Sequence, residues 1–571
     1  MDPHYLYRTW LDKMDDEELK KELLAISNDT AGIKDRFYRD LEFGTGGLRG
    51  IIEAGTNRMN IYTVRRATQG LADHLLEKGE APSVCIAYDT RNKSLEFAET
   101  AAEVLCGNGI KTYLFDSVHP TPMLSYAVRH MKTHAGIVIT ASHNPKEYNG
   151  YKVYGPDGGQ ITDRAAKEIL ACIERSDCFS SAKTLPLKEA LEKGLLKYIG
   201  EDVDSHYFAK IRSLSIRKEL IAEKAHSLKI IYSPLHGSGN VPVRRILSEL
   251  GFSNVFAVPE QEKHDGNFPT VPYPNPEDPS VFDLAIKMAV KTHPDLIFAT
   301  DPDCDRIGVL VKDDEGKYSV LTGNQTGALL CQYIISSRGE MDVMPNDPAV
   351  IKTIVTTDLA KNICDKFGVP IFDVLTGFKY IGELAEKWQN TGGHSFIFGF
   401  EESYGYLAGD FVRDKDAVIA AAQIAEMALY YKDKGQTLYQ ALQNLYAEYG
   451  YYAEKLISVE MPGEEGQKRC AEIIADMRAN YKEMLNGAPI AVVEDYQKSE
   501  RTDIRTGKKD KIGLPKSKVL KFIFDDESWL VLRPSGTEPK VKIYISARGE
   551  NAHEAESKLY SLEKLARGIL K

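Results

Sequence analysis

The stretch DLIFATDPDCDR (295–306) is an apolar run that passes without a break into a loop carrying three carboxylates. A short, continuous run of this kind, bounded by turn residues, reads as a strand covered on both faces, as in the sheets of α/β proteins. The same reading applies to AGIVITAS (135–142), which leads into ASHNP, and to SFIFGFE (395–401), which leads into FEESYG. Further strand-like runs precede them: SVCIAYD (83–89), KTYLFD (111–116), LKIIYSP (228–234) and AVIKTIVTTD (349–358). Residues 95–106 (LEFAETAAEVLC) are helix-like. The pattern is three weak repeats of an α/β unit, each delivering a polar loop at the C-terminal end of a strand. Ligands bind at such ends in open α/β sheets.

Working outward, residues 1–38 read as mostly helix, with Leu19, Leu23 and Ile26 on one face. The C-terminal stretch differs. KVLKFIFDDESWLVLRPS (518–535) and KVKIYISARG (540–549) are β-rich, and residues 552–570 are helical. QKSERTDIRTGKKDKIG (497–513) reads as an exposed loop or hairpin. The expected fold is α/β: three similar mixed-sheet units and a smaller C-terminal α+β domain. The boundaries fall at 1–205, 206–325, 326–446 and 447–571. A length of 571 residues suits about four domains of roughly 150 residues each.

The net charge of −11 argues against DNA or RNA binding, which needs broad basic surface. A local basic cluster could still hold a small anion. No apolar run approaches the ~20 residues that span a bilayer, and the N-terminus lacks a signal-peptide pattern, so a cytoplasmic protein without membrane contact is expected. Eight scattered cysteines without a C-x-x-C read as reduced, mostly buried thiols.

Five loops carry candidate chemistry. Asp301, Asp303 and Asp305 can converge on one hard cation if the backbone turns, and oxygen-only ligands suit Mg²⁺. An EF-hand is excluded, because Arg306 and Lys312 stand where Gly and Glu are required. In Thr140-Ala141-Ser142-His143-Asn144-Pro145, a strand-end serine is placed for exposure, outside any G-x-S-x-G elbow. Beside a Mg²⁺ site it is a candidate phosphoserine. In Arg533-Pro534-Ser535-Gly536-Thr537-Glu538-Pro539-Lys540, the guanidinium fork, two hydroxyls and a glycine suit a phosphate. Phe43-Gly44-Thr45-Gly46-Gly47-Leu48-Arg49-Gly50 offers many amides around one arginine, without a P-loop pattern. In Gly399-Phe400-Glu401-Glu402-Ser403-Tyr404-Gly405, carboxylates could accept hydrogen bonds from sugar hydroxyls.

Together these loops resemble the α-D-phosphohexomutase superfamily, of the phosphoglucomutase and phosphomannomutase type. FGTGGLRG resembles its first active-site loop, TASHNP its phosphoserine loop and DPDCDR its metal loop. GFEESYG resembles its sugar-recognition loop and RPSGTEPK its phosphate-binding loop. YDTRNKS (88–94), HPTP (119–122), NGYK (149–152), SPLHGSG (233–239) and TGFKYIG (376–382) also match, and the order is the family's. The first loop reads GTGG where many members have Ser after Thr, and the chain is longer than the shorter bacterial phosphomannomutases. These features resemble a longer phosphoglucomutase branch that includes phosphopentomutase-like members.

The resemblance implies four domains around a central cleft, a phosphoserine at Ser142, one Mg²⁺ held by Asp301, Asp303 and Asp305 with that phosphate, and basic groups at Arg49, Lys152 and Arg306 near the transferring phosphoryl. It implies sugar contacts at Glu401 and Ser403, and a cradle for the other phosphate at Arg533, Ser535, Gly536 and Thr537. Lys379 and Lys415 occupy basic positions along the cleft. The implied activity is interconversion of glucose 1-phosphate and glucose 6-phosphate, with glucose 1,6-bisphosphate as activating intermediate, by a monomer or homodimer. Mannose or pentose phosphates are alternative substrates. A phosphotransferase that makes sugar bisphosphate from an external donor is an alternative reaction. Positive charge is expected to gather in one cleft at Arg49, Lys152, Arg306, Lys379, Lys415, Arg533 and Lys540.

Overall fold

The structure, a computed structural model, describes residues 2–44, 46–79, 81–461, 463–485, 487–534 and 540–570. Three of its four sheets share one construction around the strands picked out above. In the first, Ala135–Ile139 lies parallel to Ser83–Tyr88 on one side and antiparallel to Tyr148–Tyr154 on the other. In the second, Leu296–Thr300 lies parallel to Ile230–Ser233 and antiparallel to Ile307–Lys312. In the third, Ser395–Glu401 lies parallel to Pro348–Thr353 and antiparallel to Gly405–Ala408. Each loop-bearing strand therefore turns back on itself, and the polar loop is the turn. The repeat expected from hydropathy is a repeat of this unit. These strands are buried along nearly their whole length, which is why their residues are uniformly apolar.

The fourth sheet has seven strands, all paired antiparallel among the described residues. The helices Gly463–Met484 and Ala552–Ile569 pack on it. The charged segment around residue 505 is a hairpin of Glu500–Asp503 and Lys509–Lys511.

The N-terminal segment forms three short helices, Pro3–Lys13, Glu17–Ala25 and Thr30–Phe37, each begun by an aspartate that accepts a backbone N–H. Leu23 is fully buried, and Leu19 and Ile26 pack beside it. Trp10 meets Phe37 and Tyr62 edge-on at 5.7 and 5.6 Å, so aromatic packing joins these helices to the helix Ile61–Glu77 of the first unit. All eight cysteines are free thiols, seven of them buried. Among the described residues no helix is long and apolar enough to cross a membrane.

Candidate active site

The serine loop leaves its strand through a residue in the left-handed region, Ser142, with φ of 53°. Its N–H donates to Thr140 Oγ1 at 2.8 Å, which holds the turn. Arg91 braces the loop from behind. Its guanidinium donates to the carbonyls of Ser142 and Asn144, and to those of Pro145 at 2.8 Å and Tyr148 at 3.2 Å. Asp89, 3.5 Å away, balances the buried arginine. These bonds fix the backbone that carries the Ser142 hydroxyl.

It is aimed at the carboxylate trio. Ser142 Oγ donates to Asp301 Oδ2 at 2.8 Å. Asp301 Oδ1 accepts the amides of Asp305 and Arg306 at 3.1 and 3.0 Å, so the loop curls around its own first carboxylate. The curl is completed by Cys304, with φ of 51°. Asp303 Oδ2 accepts from Thr121 Oγ1 at 3.0 Å and from Lys152 Nζ at 2.8 Å. Asp305 Oδ2 lies 2.7 Å from Lys415 Nζ and 3.7 Å from Lys152 Nζ.

The three aspartates are almost wholly buried, and one oxygen of each lies within 4.8 Å of the others. Asp303 Oδ1 and Asp305 Oδ1 are buried without a hydrogen-bond partner. Buried carboxylate oxygens left in this state are costly, and a cation between them removes the cost. Burial and the charges of Asp305 and Asp303 push the Asp301 carboxyl well above its usual range. Burial acts upward on Asp303 too, but the Lys152 ammonium outweighs it and holds that carboxyl below its usual range. Like charges crowded into a dry site, all oxygen donors, fit a hard divalent ion.

Beside this centre runs a cleft of about 930 Å³ lined by residues from all four sheet units. Six of the seven expected cationic residues line it: Arg49, Arg306, Lys379, Lys415, Arg533 and Lys540. The seventh, Lys152, is committed to Asp303. Arg49 Nη1 donates to Asn144 Oδ1 at 3.4 Å, next to the serine. Arg306 is paired with Glu277. Lys379 Nζ lies 3.7 Å from Asp163 Oδ1. Glu401 and Ser403 line the same cleft, at the end of Ser395–Glu401 and in the turn after it. Ser535, Gly536 and Thr537 lie outside the described residues.

Four family models match the chain in succession: phosphoglucomutase/phosphomannomutase alpha/beta/alpha domains I (residues 40–178), II (205–316) and III (322–449), and the C-terminal domain (463–558). The chain belongs to the phosphoglucomutase/phosphomannomutase family. A phosphoglucomutase of Staphylococcus haemolyticus is 38% identical over 526 residues, 92% of this chain and 93% of that protein. One from Staphylococcus aureus is 36% identical over 560 residues, 97% of each. Two crystal structures share the fold. One is a putative phosphomannomutase from Thermus thermophilus (TM-score 0.66, 21% identity, covering 92% of this chain and 99% of that one). The other is parafusin, a phosphoglucomutase from Paramecium, in an open form (0.68, 17%, 93% and 95%). This family membership makes the chain a phosphohexomutase, an isomerase-class phosphotransferase.

In this phosphohexomutase several residues of the site have contacts that the motifs alone do not show. Arg91 sits in a matched segment, but its buried role depends on carbonyls more than fifty residues away. His143 lines the cleft, its imidazole held well below the usual histidine range by burial and by Arg306 and Arg49. Glu277 belongs to a proline-rich loop that reads as connection alone. Glu402 accepts from Thr353 and Thr356 at 3.1 and 3.3 Å, and burial together with Glu401 pushes its carboxyl up to about 7. Lys542, below its usual range through burial, Arg533 and Arg306, faces the cleft on Lys540–Gly549. Alternating strand residues after a phosphate loop are the signal that could have found it.

Proposed function

We propose that the protein interconverts glucose 1-phosphate and glucose 6-phosphate through a phosphoserine at Ser142 and a glucose 1,6-bisphosphate intermediate. The observation that carries this reading is the 2.8 Å hydrogen bond from Ser142 Oγ to Asp301, within the carboxylate trio and beside a cationic cleft. The names of relatives 36–38% identical over nearly the whole chain support glucose as the sugar.

The domains then divide the work. Residues 1–205 supply the nucleophile, 206–325 the metal loop, 326–446 the sugar contacts and 447–571 the phosphate cradle. Phosphorylated Ser142 gives its phosphoryl group to the free hydroxyl of a bound sugar monophosphate. The Oγ–P bond breaks, a sugar O–P bond forms, the sugar hydroxyl proton passes to a base in the cleft, and the leaving oxygen, Ser142 Oγ, takes up a proton that it gives back when it is phosphorylated again. The bisphosphate reorients, and its other phosphate returns to Ser142. Such transfer depends on in-line placement and neutralisation of oxygen charge. Arg49, Lys152 and Arg306 are the chain's own cations for that task. Asp301, Asp303, Asp305 and phosphorylated Ser142 would hold Mg²⁺, which would supply further neutralisation of the phosphoryl oxygens. Glu401 and Ser403 contact sugar hydroxyls, and Arg533 with Ser535, Gly536 and Thr537 holds the phosphate that is not transferred. Among the lysines of the cleft, Lys379 and Lys542 both stand below the usual lysine range, chiefly through burial, and either is suited to take a proton. Lys415 stands above that range, because Asp305 and Asp414 outweigh the effect of burial.

The protein is read as a cytoplasmic monomer or homodimer acting on small sugar phosphates. The test is the Ser142→Ala protein with glucose 1-phosphate and a trace of bisphosphate, since wild-type-like turnover refutes the phosphoserine. Mannose 1-phosphate and ribose 1-phosphate, run beside glucose 1-phosphate, decide the sugar. Steady bisphosphate release without net isomerisation points to a phosphotransferase instead.

A further inference from the structure

The strand Trp529–Pro534 has two faces with different partners. Leu530 and Leu532 enter the core of the C-terminal domain. Trp529 and Val531 pack with Ile354, Val355 and Leu375 of the third domain. Strand side chains alternate, so Arg533 shares a face with Trp529 and Val531. The face that docks onto the third domain is thus the face that presents Arg533 to the cleft.

Polar contacts pin this docking. The indole N–H of Trp529 donates to Asp358 Oδ2 at 3.0 Å. The other oxygen of Asp358 is 3.2 Å from Lys352 Nζ. Lys352 is 1% exposed. It also meets Asp373 Oδ1 at 2.9 Å and donates to the carbonyl of Thr356 at 3.1 Å. Asp358 is therefore fixed within its own domain by one oxygen and holds the neighbouring domain by the other. Lys521, on Leu520–Phe524, donates to the carbonyl of Ile354 at 2.9 Å and lies 4.9 Å over the Trp529 ring. Four residue-to-residue steps of pleated strand, about 13 Å, take the chain from Trp529 to Arg533 without a turn. Displacement at one end is carried to the other.

We propose that Asp358 is a positioning residue that, acting through Trp529, sets the place of Arg533 in the cleft and so the affinity for the phosphate that is not transferred. Domains of one chain move relative to each other unless their interface holds them. This interface holds the phosphate-anchoring strand to the domain that carries Glu401 and Ser403. Sugar contacts and phosphate anchor then stay in one register. The proposal rests on the reading of Arg533 as a phosphate anchor.

The experiment is steady-state kinetics with glucose 1-phosphate, together with inhibition by inorganic phosphate. Arg533→Ala is measured first, and an unchanged KM there refutes the reading of Arg533. Given a raised KM, Trp529→Phe keeps an aromatic ring, though a smaller one, and loses the N–H. Its KM is expected to rise about fivefold, with kcat within twofold and phosphate inhibition weakened alike. Added to Arg533→Ala, it is expected to raise KM no further. Asp358→Ala is expected to match Trp529→Phe, and Asp358→Asn, which keeps an acceptor, to stay within about twofold of wild type. This second pair decides the matter if Trp529→Phe does not fold. An unchanged KM, a loss confined to kcat, or an equal further rise in the Arg533→Ala background overturns the proposal.

Discussion

Ser142 Oγ and Asp301 Oδ2 stand 2.8 Å apart although 159 residues separate them in the chain. One comes from the first sheet unit and the other from the second, each at the turn where a buried strand doubles back. The contact brings a hydroxyl and the carboxylate trio to one point, and the proposed mechanism depends on it.

The first consequence concerns the nucleophile. Ser142→Ala is expected to lower kcat by at least about a thousandfold, as loss of a covalent nucleophile does. Intact-mass spectrometry is expected to lose the phosphorylated species. A phosphorylated fraction that survives the substitution refutes the site.

The carboxylate trio predicts metal dependence with a readout beyond activity. Chelation is expected to abolish turnover and added Mg²⁺ to restore it. Mg²⁺ at a hundred times its Kd is expected to add about 2.7 kcal/mol of stability, seen as a raised Tm. In Asp301→Asn/Asp303→Asn that Tm shift should vanish.

Lys152 and Asp303 form an ion pair of 2.8 Å with both side chains buried. Lys152→Met leaves the aspartate without its main counter-charge. The expected loss is about 3–5 kcal/mol in urea unfolding without metal. A loss under 1 kcal/mol would show that the aspartate had found other compensation.

Arg91 illustrates geometry rather than charge. Arg91→Lys keeps the charge but not the fork that reaches the carbonyls of Ser142, Asn144, Pro145 and Tyr148. We expect kcat to fall roughly ten- to a hundredfold while KM changes little, because misplacement of a nucleophile is costly.

Glu402 and Glu454 each have carboxyls pushed up to about 7, both chiefly by burial. Between about pH 4.5 and 7 the folded protein therefore holds protons that the unfolded chain has released. Their contribution to stability falls as pH rises through that window and is level above it. Glu402→Gln is expected to flatten part of this slope in urea titrations at saturating Mg²⁺, with Glu454 supplying the rest. An unchanged slope would place the Glu402 carboxyl in its ordinary range.

The strands and the order of the loops are legible in the sequence because they are local. DLIFATDPDCDR, AGIVITASHNP and SFIFGFEESYG each carry their own strand, turn and polar cargo within about a dozen residues. Burial on both faces forces the apolar run, and the turn forces its end. The trio of aspartates is legible for the same reason, since the three carboxylates stand at alternate positions of one loop. The pairings around them are not legible. Lys152 with Asp303, Arg306 with Glu277, Arg91 with the serine loop and Trp529 with Asp358 join residues 151, 29, 51 and 171 positions apart. A lysine or arginine has the same local pattern whether it meets a substrate or a buried carboxylate. Sequence by itself determined which residue types stand at the strand ends. Only the tertiary structure decided which cations neutralise the carboxylate trio and which face the cleft, because Coulomb attraction in a dry interior acts over a few ångströms of space, with no regard to distance along the chain.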